Sequence, residues 1–122
     1  MMRVRDTVTS PGGARANEDR VGFAGTLAWV IDGATDLYAD AALPAGNDVL
    51  WLVDVVAQRL GHAGAEGYRG DGSDLLGAIS RHVADQMTAH SVPAGRVPPA
   101  CSLVVSVDRG RTFEITRVPR SC

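Results

Sequence analysis

Three carboxylates and a glycine stand out in the stretch ARANEDRVGFAGTLAWVIDGATDL, residues 14–37. Glu18 and Asp19 form an adjacent acidic pair, and Asp32 and Gly33 follow the apolar run LAWVI. Because that run predicts a strand buried on both faces, Asp32 would be desolvated and would need a strong partner such as a cation. Mg²⁺ and Mn²⁺ take oxygen ligands, which Glu18, Asp32 and the Gly33 carbonyl could supply. Two such ions bridged by one carboxylate can acidify a shared water and clamp a transferring phosphoryl group.

Each of these carboxylates also has an ordinary structural explanation. Acidic residues in loops are usually solvated, which is the simpler interpretation of Glu18 and Asp19. Asp32 could instead close its strand through an Asx-turn, assisted by Ala34 and Thr35. The spacing alone supports a metal ligand and an Asx-turn at Asp32 equally well.

The elements around these residues predict strands joined by tight turns. RVRDTVT, residues 3–9, alternates polar and apolar side chains as a half-buried strand does, and a loop rich in proline and glycine follows it. DRVGFAG and LAWVI predict two strands of a hairpin joined by Gly25 and Thr26. CSLVVSV and TFEITRV, either side of the turn DRGR, predict a second hairpin.

Two amphipathic segments between the hairpins predict helices. DVLWLVDVVAQRLG has an apolar stripe at helical spacing, with Asn47 or Asp48 as the cap and Gly61 as the stop. DLLGAISRHVADQMTAH has a second stripe, with Ser73 or Asp71 as its cap. Because strands and helices are segregated along the chain, the pattern favours an α+β fold with both helices on one face of the sheet.

Composition sets limits on the class of protein. A chain of 122 residues predicts a single domain. Its formal net charge of −2 and its scattered arginines argue against a nucleic-acid partner. The two cysteines lack metal-site spacing, and no apolar run has the length of a signal peptide or a membrane span. We therefore expect a cytoplasmic protein with no membrane partner.

NEDRVG followed by AWVIDGATDL resembles the N-terminal half of the metal-dependent protein phosphatases of the PPM (type 2C) family, particularly bacterial members with Asp-Gly-Ala-Thr. The resemblance covers most of the chain and implies one truncated PPM-type domain over residues 1–122, part of an α/β-β/α sandwich. It implies hydrolysis of phosphoserine or phosphothreonine in a protein substrate by a metal-activated water, without a covalent phosphoenzyme. In that pattern Asp32 would bridge two Mg²⁺ or Mn²⁺ ions, Glu18 would bind one of them, Gly33 would offer its carbonyl, and Asp19 would orient the attacking water.

The sequence departs from the family pattern in two places. Where the family commonly has an arginine that binds substrate phosphate, this chain has Ala14, and Arg15 is the nearest candidate for that role. The alternative for Arg15 is an exposed loop arginine. Complete family domains are longer and add metal-binding aspartates downstream. In the downstream part of this chain, Asp108 lies in a predicted turn, which is typical of a solvated residue and not of a metal ligand.

These departures leave two further hypotheses. The chain could be a non-catalytic truncated fragment or regulatory remnant that keeps the N-terminal fold and binds metal weakly at most. A missing half of the sandwich would expose strand edges, so we expect self-association or a partner at those edges. A plain α+β module with an incidental acidic pair is the third hypothesis, and it requires Glu18 and Asp32 to point to different regions.

Overall fold

The computed structural model describes residues 19–33, 40–45 and 47–108, and the backbone of residues 112–118. The predicted strand at residues 3–9 lies outside these ranges. The elements in chain order are β1 (Arg20–Ala24), β2 (Leu27–Gly33), α1 (Asp48–Ala65), α2 (Gly72–Ala89), β3 (Cys101–Val107) and β4 (Thr112–Val118). The predicted α+β class and both predicted hairpins are confirmed.

The four strands form one antiparallel sheet in the order β1-β2-β3-β4. Each outer pair is a hairpin, whereas the central pair joins strands that are separated by both helices. In that central pair Ile31 lies opposite Leu103 and Gly33 lies opposite Cys101. The helices therefore form the long connection that returns the chain to the edge of the first hairpin.

One face of the sheet is buried and the other is open. Leu27, Trp29 and Ile31 of β2 are buried against the helices, as are the alternate residues of β3 from Cys101 to Val107. Val30, between two of these buried positions, is 50% exposed. The prediction that LAWVI is buried on both faces is therefore wrong, because both helices pack on the same side of the sheet and strand side chains alternate between its faces.

Helix α1 begins after Asn47, one of its two predicted caps, but it ends beyond its predicted stop. Asn47 is the cap, and its side chain accepts a hydrogen bond of 2.7 Å from the backbone N–H of Leu50. The helix continues through Gly61, so the prediction of a stop there is wrong. It ends in a Schellman motif, in which Gly67 adopts a φ of 84° and the N–H of Tyr68 donates to the Ala63 carbonyl.

Helix α2 is capped by Asp71, one of its two predicted caps, whose carboxylate accepts from the Ser73 N–H at 2.9 Å. It ends in the same type of motif as α1, with Val92 N–H bonded to the Met87 carbonyl. The left-handed position here is occupied by Ser91, at a φ of 58°. Only glycine adopts that conformation without a steric penalty from its side chain.

The first hairpin contacts the end of α1 through two glycines. Gly25, at a φ of 51°, forms the turn between β1 and β2. The N–H of Thr26 donates to the Gly64 carbonyl at 3.2 Å. A Cβ atom at Gly64 would lie 2.1 Å from the carbonyl oxygen of Ala24, so only glycine fits at this crossing. This contact fixes how the hairpin, and the acidic residues at its far end, sit on the helices.

A buried ion pair joins the loops that enter α1 and leave α2. Arg96 donates to Asp48 Oδ2 through Nη2 at 2.9 Å and through Nε at 3.2 Å. The other carboxylate oxygen accepts from the backbone N–H groups of Ala42, at 2.8 Å, and Leu43, at 3.1 Å. Asp48 is therefore a buried anchor of the loop packing, and the helix cap is its neighbour Asn47.

Neither α1 nor α2, nor any other helix among the described residues, combines the length and apolar character needed to cross a membrane.

Candidate functional site

Asp19 and Asp32 lie side by side at one end of the first hairpin. Arg20 pairs with Ile31 in the β1–β2 register, so Asp19, one residue earlier, comes opposite Asp32, one residue later. A hydrogen bond between the two carboxyl groups is the largest cause of a raised pKa at Asp32. Partial removal from water and the negative charge of Asp19 raise that pKa further. The two carboxyl groups are therefore close enough to share one proton or to bind one cation together.

Asp32 is exposed, which contradicts the expectation that the end of a buried strand would desolvate it. The inward positions of β2 are taken by Trp29 and Ile31, so the alternation of the strand turns Asp32 to the open face beside Val30. Burial in the core therefore does not force this carboxylate to find a partner. Its raised pKa comes first from the second carboxyl group beside it.

Arg20 holds the acidic end of the hairpin in place, a role that was not predicted from the sequence. Its Nη1 donates to the backbone carbonyl of Asp19 at 2.8 Å. Its Nε and Nη2 each lie 3.1 Å from Asp54 Oδ1 on α1. The guanidinium thereby ties the backbone of Asp19 to the helix. The available signal was an arginine directly after the acidic pair, but its partner on α1 could not be found from spacing.

The other predicted site residues divide between described and undescribed parts of the chain. Gly33 is the last residue of β2, so its carbonyl lies within one residue of the Asp32 carboxylate. Glu18, the predicted metal ligand, and Arg15, the predicted phosphate ligand, lie outside the described residues. The Asx-turn that Ala34 and Thr35 would assist also falls outside them.

The donor set of the Asp19–Asp32 pair suits a hard divalent cation in kind. Carboxylate oxygens are the ligands that Mg²⁺ and Mn²⁺ take in proteins, and a cation relieves the repulsion between two adjacent carboxylates. Among the described residues, no three His, Cys, Asp or Glu side chains cluster closely enough to hold an ion. A complete site would therefore need at least one more oxygen ligand, the role predicted for Glu18.

Comparisons with protein-family models, with curated proteins and with solved structures find no match to this chain. The fold and the site by themselves define an α+β domain with a carboxylate pair at one end of an antiparallel sheet. A more specific function has to be proposed from the pair and from the sequence around it.

Proposed function

We propose that this chain is a PPM-like, metal-dependent phosphatase that hydrolyses phosphoserine and phosphothreonine in cytoplasmic proteins when its site is complete. The single observation that supports the proposal is the juxtaposition of the Asp19 and Asp32 carboxyl groups. Asp19 and Asp32 are separated along the chain, and the hairpin register brings these two residues together. The proposal also assigns the sheet and its two helices to part of a PPM-type sandwich.

The roles of the residues follow from their chemistry. Asp32 and the Gly33 carbonyl would hold Mg²⁺ or Mn²⁺ together with Glu18, and Arg15 would bind substrate phosphate as a guanidinium does. When bound, the ions supply the acidity that ionises water and the positive charge that stabilises the transferring phosphoryl group. Asp19 would accept a hydrogen bond from the attacking water and hold it in position.

Mn²⁺ titration followed by an activity assay tests this proposal. We expect the chain to bind Mn²⁺ in calorimetry and to hydrolyse a phosphothreonine peptide in a Mn²⁺-dependent way. Asp32→Asn and Asp19→Asn should each weaken binding at least about tenfold, the loss seen when groups that hold or orient a metal are removed. Asp85→Asn, at an exposed aspartate on α2, is the matched control and should leave both measurements unchanged.

The competing function is that of a non-catalytic fragment or regulatory remnant. It is favoured by the presence of two, not three, clustered carboxylates in the described part of the chain. This hypothesis predicts weak Mn²⁺ binding that is still lost in Asp32→Asn, together with no hydrolysis by pure, folded protein. Hydrolysis that survives Asp32→Asn would contradict both functions, because it would come from another site or from a contaminant.

A further inference from the structure

The sheet face opposite the helices carries an apolar band. Val21, Val30 and Val104 are consecutive partners in the register of β1, β2 and β3, and Phe23 lies two residues from Val21 along β1. Phe23 is 55% exposed, Val30 50% and Val104 36%. Among the described residues, both helices lie on the other face and leave these side chains in contact with solvent. Contiguous exposed apolar surface of this kind marks an interaction site.

The shape of the band favours a flat partner over a small ligand. A shallow depression of about 240 Å³ lies between Val21, Val30 and Val104. Pockets that enclose drug-sized ligands usually have volumes of about 300–1,000 Å³ and surround most of the ligand. This depression is smaller than that range, and its walls are the side chains of a pleated sheet. Another apolar sheet, whose side chains can interdigitate with these, complements it better.

We propose that this face binds the same face of a second copy of the chain, forming a symmetric sheet-on-sheet dimer. A twofold interface requires a patch that is complementary to itself, and a band of valines flanked by Ala28 and Ser106 meets that requirement. Two sheets packed this way lie about 10 Å apart with strand directions within about 30° of each other.

The dimensions of the sheet limit the area that this dimer can bury. Four strands spaced about 4.8 Å apart, with seven residues in the longer strands rising about 3.3 Å each, give a face of about 440 Å². Two copies would bury about 900 Å² in total, less than the roughly 1,200–2,000 Å² of stable interfaces. The area therefore places the contact in the transient class, which forms at high protein concentration.

Charge determines how the two copies are oriented. Asp19 and Asp32 are exposed and lie at one end of the face. If these ends met, the carboxylate pairs of both copies would repel each other. A twofold axis that runs across the strands places each pair over the opposite end of the partner sheet, where Gly25 and Thr26 form the turn. The two carboxylate pairs then lie at opposite ends of the dimer.

Sedimentation velocity in metal-free buffer tests the proposal. Between about 5 and about 500 µM, a range that covers transient contacts, the chain should shift from monomer to dimer. Val30→Glu should raise the dimer dissociation constant at least about tenfold, since it buries a carboxylate in the interface. Val97→Glu is the matched control, because Val97 is 53% exposed in the loop before β3, and it should dimerise like the unmodified chain. Val30→Thr keeps the branched shape and should weaken the dimer less than the glutamate does.

Three results would overturn the dimer. The first is a chain that stays monomeric at about 500 µM, whether its open face is left bare or is covered by other residues of the same chain. The second is a dimer that Val30→Glu does not weaken although circular dichroism shows that variant to be folded. The third is a dimer that Val97→Glu weakens equally. Because the measurement uses no metal, its outcome is independent of the proposed phosphatase activity.

Discussion

Removal of Arg96 should destabilise this domain far more than removal of an arginine from its surface. The Asp48 side chain is 3% exposed and that of Arg96 is 12% exposed, so neither charge is well solvated. In Arg96→Met the Asp48 carboxylate would keep its two backbone N–H donors, from Ala42 and Leu43, but would lose the guanidinium that pairs with it. A buried charge that loses its partner costs about 3–5 kcal/mol. The retained donors place this variant at the lower end, about 3 kcal/mol.

Urea unfolding monitored by circular dichroism gives the measurement. With a urea dependence of about 1.5 kcal/mol per molar, typical of small domains, the loss would lower the unfolding midpoint by about 2 M. Arg81→Met, at an exposed position on α2, is the matched control and should change stability by less than about 0.5 kcal/mol. The loss of about 3 kcal/mol expected for Arg96→Met would be a substantial fraction of the free energy of unfolding of a domain of this size.

A double-mutant cycle separates the ion pair from the packing of the arginine stem. Asp48→Asn keeps an oxygen that can accept from the backbone of the preceding loop but removes the negative charge. Combined with Arg96→Met, it should cost less than the sum of the two single changes by about 1–3 kcal/mol, because no buried charge then remains unpaired. Strictly additive losses, or an Arg96→Met variant as stable as Arg81→Met, would refute the reasoning.

Three further predictions concern backbone contacts and the carboxylate pair. Gly64→Ala should cost about 1–3 kcal/mol in urea unfolding, since its Cβ would meet the hairpin backbone. Gly61→Ala, whose Cβ would meet nothing closer than 3.9 Å, should gain about 0.5–1 kcal/mol, and the opposite ranking would contradict the crossing. Ser91→Gly should stabilise the chain by about 1 kcal/mol and so raise its melting temperature, because glycine adopts the left-handed conformation at the end of α2 without a steric penalty. A lower melting temperature would argue against that conformation. The native chain holds the proton of Asp32 more tightly than the unfolded chain, so its stability falls as pH rises through the raised pKa. Metal-free Asp32→Asn should therefore melt higher than the unmodified chain at pH 7 but not at about pH 3, and an advantage that persists at low pH would contradict the cause given.

Most of the elements could be predicted from the sequence, because their signals are local. Alternation and turn residues indicated both hairpins, and Gly25 and Thr26 were correctly identified as the first turn. Apolar spacing indicated both helices. The end of α1 was missed because a glycine within a helix resembles a stop, and only the Schellman hydrogen bonds at Gly67 show where the chain turns.

The acidic motif was visible in the sequence, but its surroundings depended on the tertiary structure. The types and order of Asp19 and Asp32 indicated a carboxylate site, and the hairpin register placed the two side by side. Whether LAWVI was covered on one face or two could not be read from five apolar residues, because coverage depends on where distant helices pack. Both helices lie on one side, so Asp32 and Val30 face outward. The carboxylates and the strand that carries Asp32 could thus be recognised in the sequence. The open apolar face beside them results from tertiary packing, because both helices cover the same side of the sheet.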